Sequence, residues 1–250
     1  MPVLTDGPTS ILQPVLISLL DELVSEVTVP EGGGGSPPPA GVQFVGATVS
    51  SSGNVGDGNR TFNKPAGVEE GDLLLAFCIT RNSVPGVPSG WAKVQDWSVL
   101  SGSISTPFSS GNEVYVIWSK TAGDSEPSSY TVFIDDQGTN GEVIVCAAFR
   151  NVGSLVGLSA NHSVGQSPSQ SALAGDMLLC AHAAALDNLV TVAGAPGDMT
   201  MAQQDHVAFS QTAGAVAYQA IEADGATGIK TWSPAHDADF SITLSLLLRP

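Results

Sequence analysis

Four histidines, 24 carboxylates and three cysteines are the side chains of this 250-residue chain best equipped to act on a substrate. Nucleophilic catalysis needs Ser or Cys beside a His that an acid orients. His162, His182, His206 and His236 are scattered, and no Gly-x-Ser-x-Gly turn presents a serine. The ordinary place of such histidines is the surface or a strand edge. Glu69/Glu70 and Asp135/Asp136 are adjacent carboxylates, and neighbours on a strand point to opposite faces, so neither pair supplies the facing acids of a glycosidase. Asp57-Gly-Asn59 and His236-Asp237-Ala-Asp239 set oxygen ligands two residues apart, as a loop holding a hard cation would. Neither has the length or ligand count of an EF-hand loop, and Asx-turn hydrogen bonding accounts for both. The reading is therefore of a protein that is not an enzyme, with no catalytic set, cofactor or metal.

Cys78, Cys146 and Cys180 all lie in apolar, strand-like runs. An odd count without CxxC spacing argues against a disulfide framework or a zinc site and for buried free thiols. Of the tryptophans, Trp118 sits in an apolar strand and reads as core, while Trp91, after a Pro-Ser-Gly turn, reads as a plug closing one end of the fold. Trp97 and the Ser/Gly-rich stretch 98–111, with Phe108, form the better candidate for an exposed binding face, where a ring could stack on a sugar.

The elements that would carry these residues are of two kinds. In 11–27, Ile11, Leu12, Val15, Leu16, Leu19, Leu20, Leu23, Val24 and Val27 recur at helical spacing between polar residues. Pro14 fits a first helical turn and Pro30 closes the segment, which predicts a helix over about 14–28 within an arm of residues 1–30. A lone helix of this length is marginal in water and must bury its stripe. It can pack on its own chain, self-associate, or dock into a larger assembly. Residues 31–41 follow as a Gly/Pro linker, Glu-Gly-Gly-Gly-Gly-Ser-Pro-Pro-Pro-Ala-Gly, long enough to separate arm from body by roughly 25 Å at ~3 Å per residue.

From residue 42 onward the pattern is strand, turn, strand. Phe240, Ile242, Leu244 and Leu246 alternate with Ser241, Thr243 and Ser245 as in a half-buried strand, whereas Val114–Trp118 is apolar on both sides, as in a strand covered on both faces. The body also repeats itself. Gly71-Asp-Leu-Leu-Leu75 matches Gly175-Asp-Met-Leu-Leu179, 104 residues on, and Val143–Arg150 parallels Ile242–Arg249, 99 residues on. Pro88-Ser-Gly-Trp91 occupies the same relative place as Pro196-Gly-Asp-Met199. The prediction is an all-β, two-sheet, jelly-roll-like β-sandwich over 42–250, built from similar halves at about 42–152 and 153–250 that share one core.

Lys64-Pro-Ala-Gly-Val-Glu-Glu-Gly-Asp-Leu-Leu-Leu75, Pro88-Ser-Gly-Trp91, Trp118-Ser-Lys-Thr-Ala-Gly123, Ala147-Ala-Phe-Arg-Asn-Val152 and the closing Ile242–Pro250 together resemble a duplicated β-sandwich domain of phage virion proteins, of the minor tail protein type, also found in some secreted bacterial proteins. The resemblance covers about 42–250 and implies a shared fold without an active site. In the second half Asp198 and Met199 stand where the pattern of the first half has Gly-Trp, so the two ends need not carry the same pocket.

The net charge of −16, with 8 Lys+Arg and no basic cluster, excludes nucleic-acid binding and disfavours an anionic bilayer. No cationic leader precedes the apolar stripe, and no run approaches the ~18 apolar residues of a membrane span. The expectation is synthesis in the host cytoplasm and a place in a virion, in the tail rather than the head. There the helix would dock on other virion proteins in a homo-oligomer, a trimer being the commonest state of fibre-like parts. The sandwich would meet the host surface, with a glycan as its partner, or decorate the particle. A capsid-decorating protein and a carbohydrate-binding module of a secreted bacterial protein are the alternatives.

Overall fold

The computed structural model describes residues 40–53, 57–81, 83–100, 103–105, 113–136, 141–161, 165–185, 194–207, 212–233 and 241–250. The expected helix at 14–28, its nine apolar residues, the linker to residue 39, Phe108, His162, and the His236–Asp239 cluster lie outside them. Pro39–Pro250 forms one compact unit.

The described chain is all-β, and every pairing is antiparallel. The first half contributes β1 (Gln43–Ser52), β2 (Gly58–Asn63), β3 (Leu73–Arg81), β4 (Ser83–Pro85), β5 (Ala92–Leu100), β6 (Ser103–Ser105), β7 (Glu113–Thr121), β8 (Ser129–Asp136) and β9 (Glu142–Arg150). The second contributes β10 (Ser154–Asn161), β11 (Gln166–Ser167), β12 (Ser171–Ala172), β13 (Met177–Ala185), β14 (Thr200–Val207), β15 (Thr212–Ala220), β16 (Gly225–Ala226), β17 (Lys230–Thr231) and β18 (Ser241–Arg249).

Each half builds one main sheet, in the order β1-β9-β3-β7-β5-β6 and β10-β18-β13-β15-β14. Apart from β6, the two orders correspond strand for strand. The irregularities correspond as well. The edge strands β1 and β10 are both bulged near their starts, after Phe44 and Val156, and β5 and β14 are both bulged after Lys93 and Met201. Bulges re-aim an edge strand and terminate pairing, so their recurrence is part of the repeated design. The three-stranded sheet β2-β8-β4 covers the outer face of the first main sheet; the two-stranded ribbons β11-β17 and β12-β16 belong to the second half.

This layering explains the long apolar runs. Leu75, Phe77 and Ile79 of β3 and Val143, Val145 and Ala147 of β9 meet Leu179, Ala181 and Ala183 of β13 and Leu244 and Leu246 of β18 in a shared core between the main sheets. The alternate residues Leu74, Ala76 and Cys78 pack outward with Phe62, Trp118 and Val132 of β2, β7 and β8. In the second half Leu178, Cys180 and Leu247 pack outward with Ala172 and Trp232. Central strands are therefore buried on both faces. Gly214 of β15 sits at a tight point between the sheets: a Cβ there would lie 2.6 Å from Ile79 Cδ1 and 3.1 Å from Val143 Cγ1.

Three expectations need correction. The closing strand β18 is not half-buried: Ser241, Thr243 and Ser245 are fully buried. The reason is that the ribbons cover them and supply polar partners, Gln170 Nε2 donating to Ser245 Oγ at 2.7 Å and Thr243 Oγ1 to Gln166 O at 2.6 Å. The interleaving of a jelly roll, with both halves contributing to each sheet, is also not what the pairing gives, because each half keeps its strands in sheets of its own. Finally, the stretch after Trp97 is not all loop. Trp97 sits inside β5 opposite Tyr115, and the strand continues to Leu100 before returning as β6.

Candidate binding site

The repeated Gly-Asp and Arg motifs meet in space by the same bidentate clamp in the two halves, to which the first half adds an Arg150–Glu69 pair at 3.0 Å. Arg150 Nε and Nη2 grip the Asp72 carboxylate at 2.9 Å each, and the Glu69 N–H donates to it at 2.8 Å. Arg249 Nε and Nη2 grip Asp176 at 3.0 and 2.8 Å, with the Leu173 N–H donating at 2.9 Å. Both aspartates are almost wholly buried, and such bidentate pairs fix geometry as well as charge. Burial pushes the Asp72 carboxyl up, but the Arg150 and Glu69 hydrogen bonds outweigh it and hold the acid below its ordinary range. At Asp176 the Arg249 hydrogen bonds lead and burial opposes them, with the same net direction. Adjacent backbone bonds repeat too: Gly71 N–H to Ala122 O at 2.9 Å, and Gly175 N–H to Ile221 O at 2.8 Å. Val42 N–H, where the chain enters the body, donates to Gly175 O at 3.0 Å.

Beside these clamps the halves diverge. In the first, Lys120 Nζ pairs with Glu126 Oε1 at 2.5 Å, and the same carboxylate accepts from Gly123 N–H at 2.8 Å and Tyr130 Oη at 2.9 Å. Burial pushes the Glu126 carboxyl up, yet these donors hold it below its usual range, while burial and Glu126 push Tyr130 upward. Lys120 Nζ lies 5.5 Å over the Tyr130 ring. Trp91, 8% exposed, packs edge-on to Phe62 and Tyr130. That end of the fold is filled, and Trp91 is the plug its turn suggested.

In the second half the pairing register and an offset of 99 residues put Gln219 in the place of Lys120, Ala217 in that of Trp118 and, counting on from Ile221, Gly225 in that of Glu126. Trp91 is matched by Met199, each closing a turn whose N–H donates back to the proline carbonyl, Pro88 or Pro196. A Cβ added at Gly225 would meet nothing within 4 Å. The result is a cavity of about 560 Å³ lined by Asp198, Gln219, Ile221, Glu222, Thr227 and Lys230 among others. Lys230 Nζ, deeply buried, pairs with Asp198, whose side chain is 56% exposed. That ion pair, with a hydrogen bond from Gln219, holds the Asp198 carboxyl below its usual range despite some burial. Because a carboxylate only accepts, the Gln219 amide nitrogen faces Asp198, and its carbonyl oxygen is left buried without a partner. No aromatic side chain lines this cavity among the described residues.

Trp118 and Trp232 are fully buried, and Trp232 Nε1 donates to Ser167 Oγ at 3.1 Å. His182, expected at a surface, is buried 5.7 Å from the Trp232 ring, because the ribbons cover β13; His206 lies exposed on β14. The three cysteines are buried and free, with burial pushing the Cys146 and Cys180 thiols up to about 12. No group of three or more metal-ligating side chains occurs among the described residues. Asp57 and Asn59 sit at the start of β2, and Arg60 beside them pairs with Glu142 at 2.6 Å. The sequence did not single out Gln219, Glu222 or Lys230; the signal was the Asp198-Met199 departure from Gly-Trp, read together with the 99-residue offset. Comparison with known proteins finds no match to a family model, a curated protein or a solved structure.

Proposed function

We propose that this chain is a structural protein of a bacteriophage virion, a minor tail protein of tail-tip or fibre-like type. Its 14–28 helix docks on other virion proteins and oligomerises, and its 42–250 β-sandwich is displayed beyond the Gly/Pro linker for host-surface contact or structural decoration. The observation that carries this reading is the doubled clamp. The Gly-Asp and Arg motifs on which the resemblance to the virion domain rests join as Asp72–Arg150 and Asp176–Arg249, in matching registers of matching sheets. Motifs that lock strand ends together are architecture, and architecture is what a display protein needs.

The test is incorporation. Particles produced with a chain starting at residue 41 should lack the protein, while the full-length chain is found in them and labels at the tail. Normal incorporation of the shortened chain would sink the reading, and labelling at the head would replace it with the capsid-decorating alternative. A second reading, a carbohydrate-binding module of a secreted bacterial protein, is favoured by the open polar cavity of the second half. It requires that sugar binding survive removal of residues 1–40 and that no particle contain the protein.

A further inference from the structure

We propose that the cavity between Asp198, Gln219, Glu222 and Lys230 binds a neutral, hydroxyl-rich saccharide unit, and that the first half has lost or never had such a site. At one end the space is occupied by the chain's own Glu126, held by three donors, one of which is Tyr130, itself packed on Trp91. At the corresponding end the lysine is Gln219 and the glutamate is Gly225, both in the wall of the cavity, so the space stands open. Its volume falls in the ~300–1,000 Å³ range of small-ligand pockets.

The wall selects the ligand class. An anion is refused, because the cation of the site, Lys230, is already neutralised by Asp198, and Glu222 leaves the lining with an excess acid. An aromatic or aliphatic ligand would strand the polar wall, and burying polar groups without partners is costly. A sugar offers what remains, hydroxyls that each donate and accept. The exposed Asp198 carboxylate accepts from one hydroxyl. Rotation of the Gln219 amide about its terminal torsion, which is broad and soft, exchanges its hydrogen bond to Asp198 for one from a sugar hydroxyl to the carbonyl oxygen, and leaves the Asp198 carboxylate free for a further hydroxyl. Ile221 supplies an apolar surface for the C–H face of the ring. The site would give the host-contact reading its ligand, and it rests on that reading for its biological role, though not for the binding itself.

The experiment is titration of the full-length chain by calorimetry with maltotriose, the N-acetylglucosamine trimer and sialyllactose, up to ~10 mM so that ~mM affinity registers. At least one neutral trisaccharide should bind, more tightly than sialyllactose. Gln219→Leu, which removes the unpartnered acceptor, and Ala223→Trp, which fills the cavity from an exposed position, should each weaken binding at least tenfold with the thermal transition unmoved. Should Gln219→Leu fail to fold, Ala223→Trp carries the test alone. Absence of binding by both neutral probes, affinity unchanged in the variants, or a preference for sialyllactose each overturns the proposal. Because the titration needs no particle, its failure leaves the incorporation test standing, and failure of incorporation leaves the titration standing.

Discussion

At the scale of single residues, the chain spends its few ionic groups on fastening. Asp72 and Asp176 each accept from an arginine fork and a backbone N–H inside the protein, and removing a buried acceptor of this kind costs about 1–3 kcal/mol. Asp72→Ala and Asp176→Ala should therefore each destabilise by that amount in chemical denaturation, Asp72→Ala the less, because Arg150 keeps Glu69 at 3.0 Å. The pH dependence follows from the direction of the shifts. Both acids are held below the ordinary value of 3.8, so their contribution is fully present above it and is lost as the pH falls through the lower folded values. Unfolding free energy should decline as the pH drops below about 3.8, and each alanine variant should decline less steeply. A variant that keeps the full acid slope would show that its clamp is not the source.

At the scale of the element, what matters is that the central strands of the two main sheets have no solvent face. Gly214 is glycine because β15 passes so close to β3 and β9 that even a methyl group would collide with Ile79. Gly214→Val should cost about 1–3 kcal/mol through overpacking, visible as a lowered thermal midpoint, whereas the same change on an uncrowded strand position would be nearly neutral. The same crowding separates what could be read from the chain from what could not. Val114–Trp118 announced a doubly covered strand because both its faces are apolar. β18 concealed the same situation, because Thr243 and Ser245 have the appearance of an outer face until Gln166 and Gln170 are placed against them. The ribbons β11, β12, β16 and β17 are two residues long, too short to show any period. Gly71-Asp and Ala-Phe-Arg150 were visible as repeats, but their pairing is a contact across 78 residues of chain, and only the fold brings them together. The cavity was hidden for a different reason. It is made by residues that are missing, the equivalents of Lys120 and Glu126, and their absence has meaning only once β7 and β15 are aligned.

At the scale of the whole molecule, the two halves are neither separate domains nor one seamless sheet pair. Each has an outer core of its own, but the largest apolar cluster lies between them and takes residues from both. Neither half can unfold without exposing that shared layer, so calorimetric unfolding of the body should give one peak whose calorimetric and van't Hoff enthalpies agree. Two resolved peaks would mean the shared layer is weaker than the outer cores. The duplication also offers an economy in which one copy can change while the other holds the shape. The clamps are kept in both, and the end at Glu126 is closed while the end at Gly225 is open.

The hydrogen bonds around Gly175 have a mechanical consequence. Val42, the first residue of the body after the linker, is bonded to Gly175, and Gly175 is bonded to Ile221 in the wall of the cavity. If a ligand held in the cavity were pulled against the linker, these two hydrogen bonds would share the load with the sheets, which take it up through β1, starting at the next residue, and through β15, which carries Gln219.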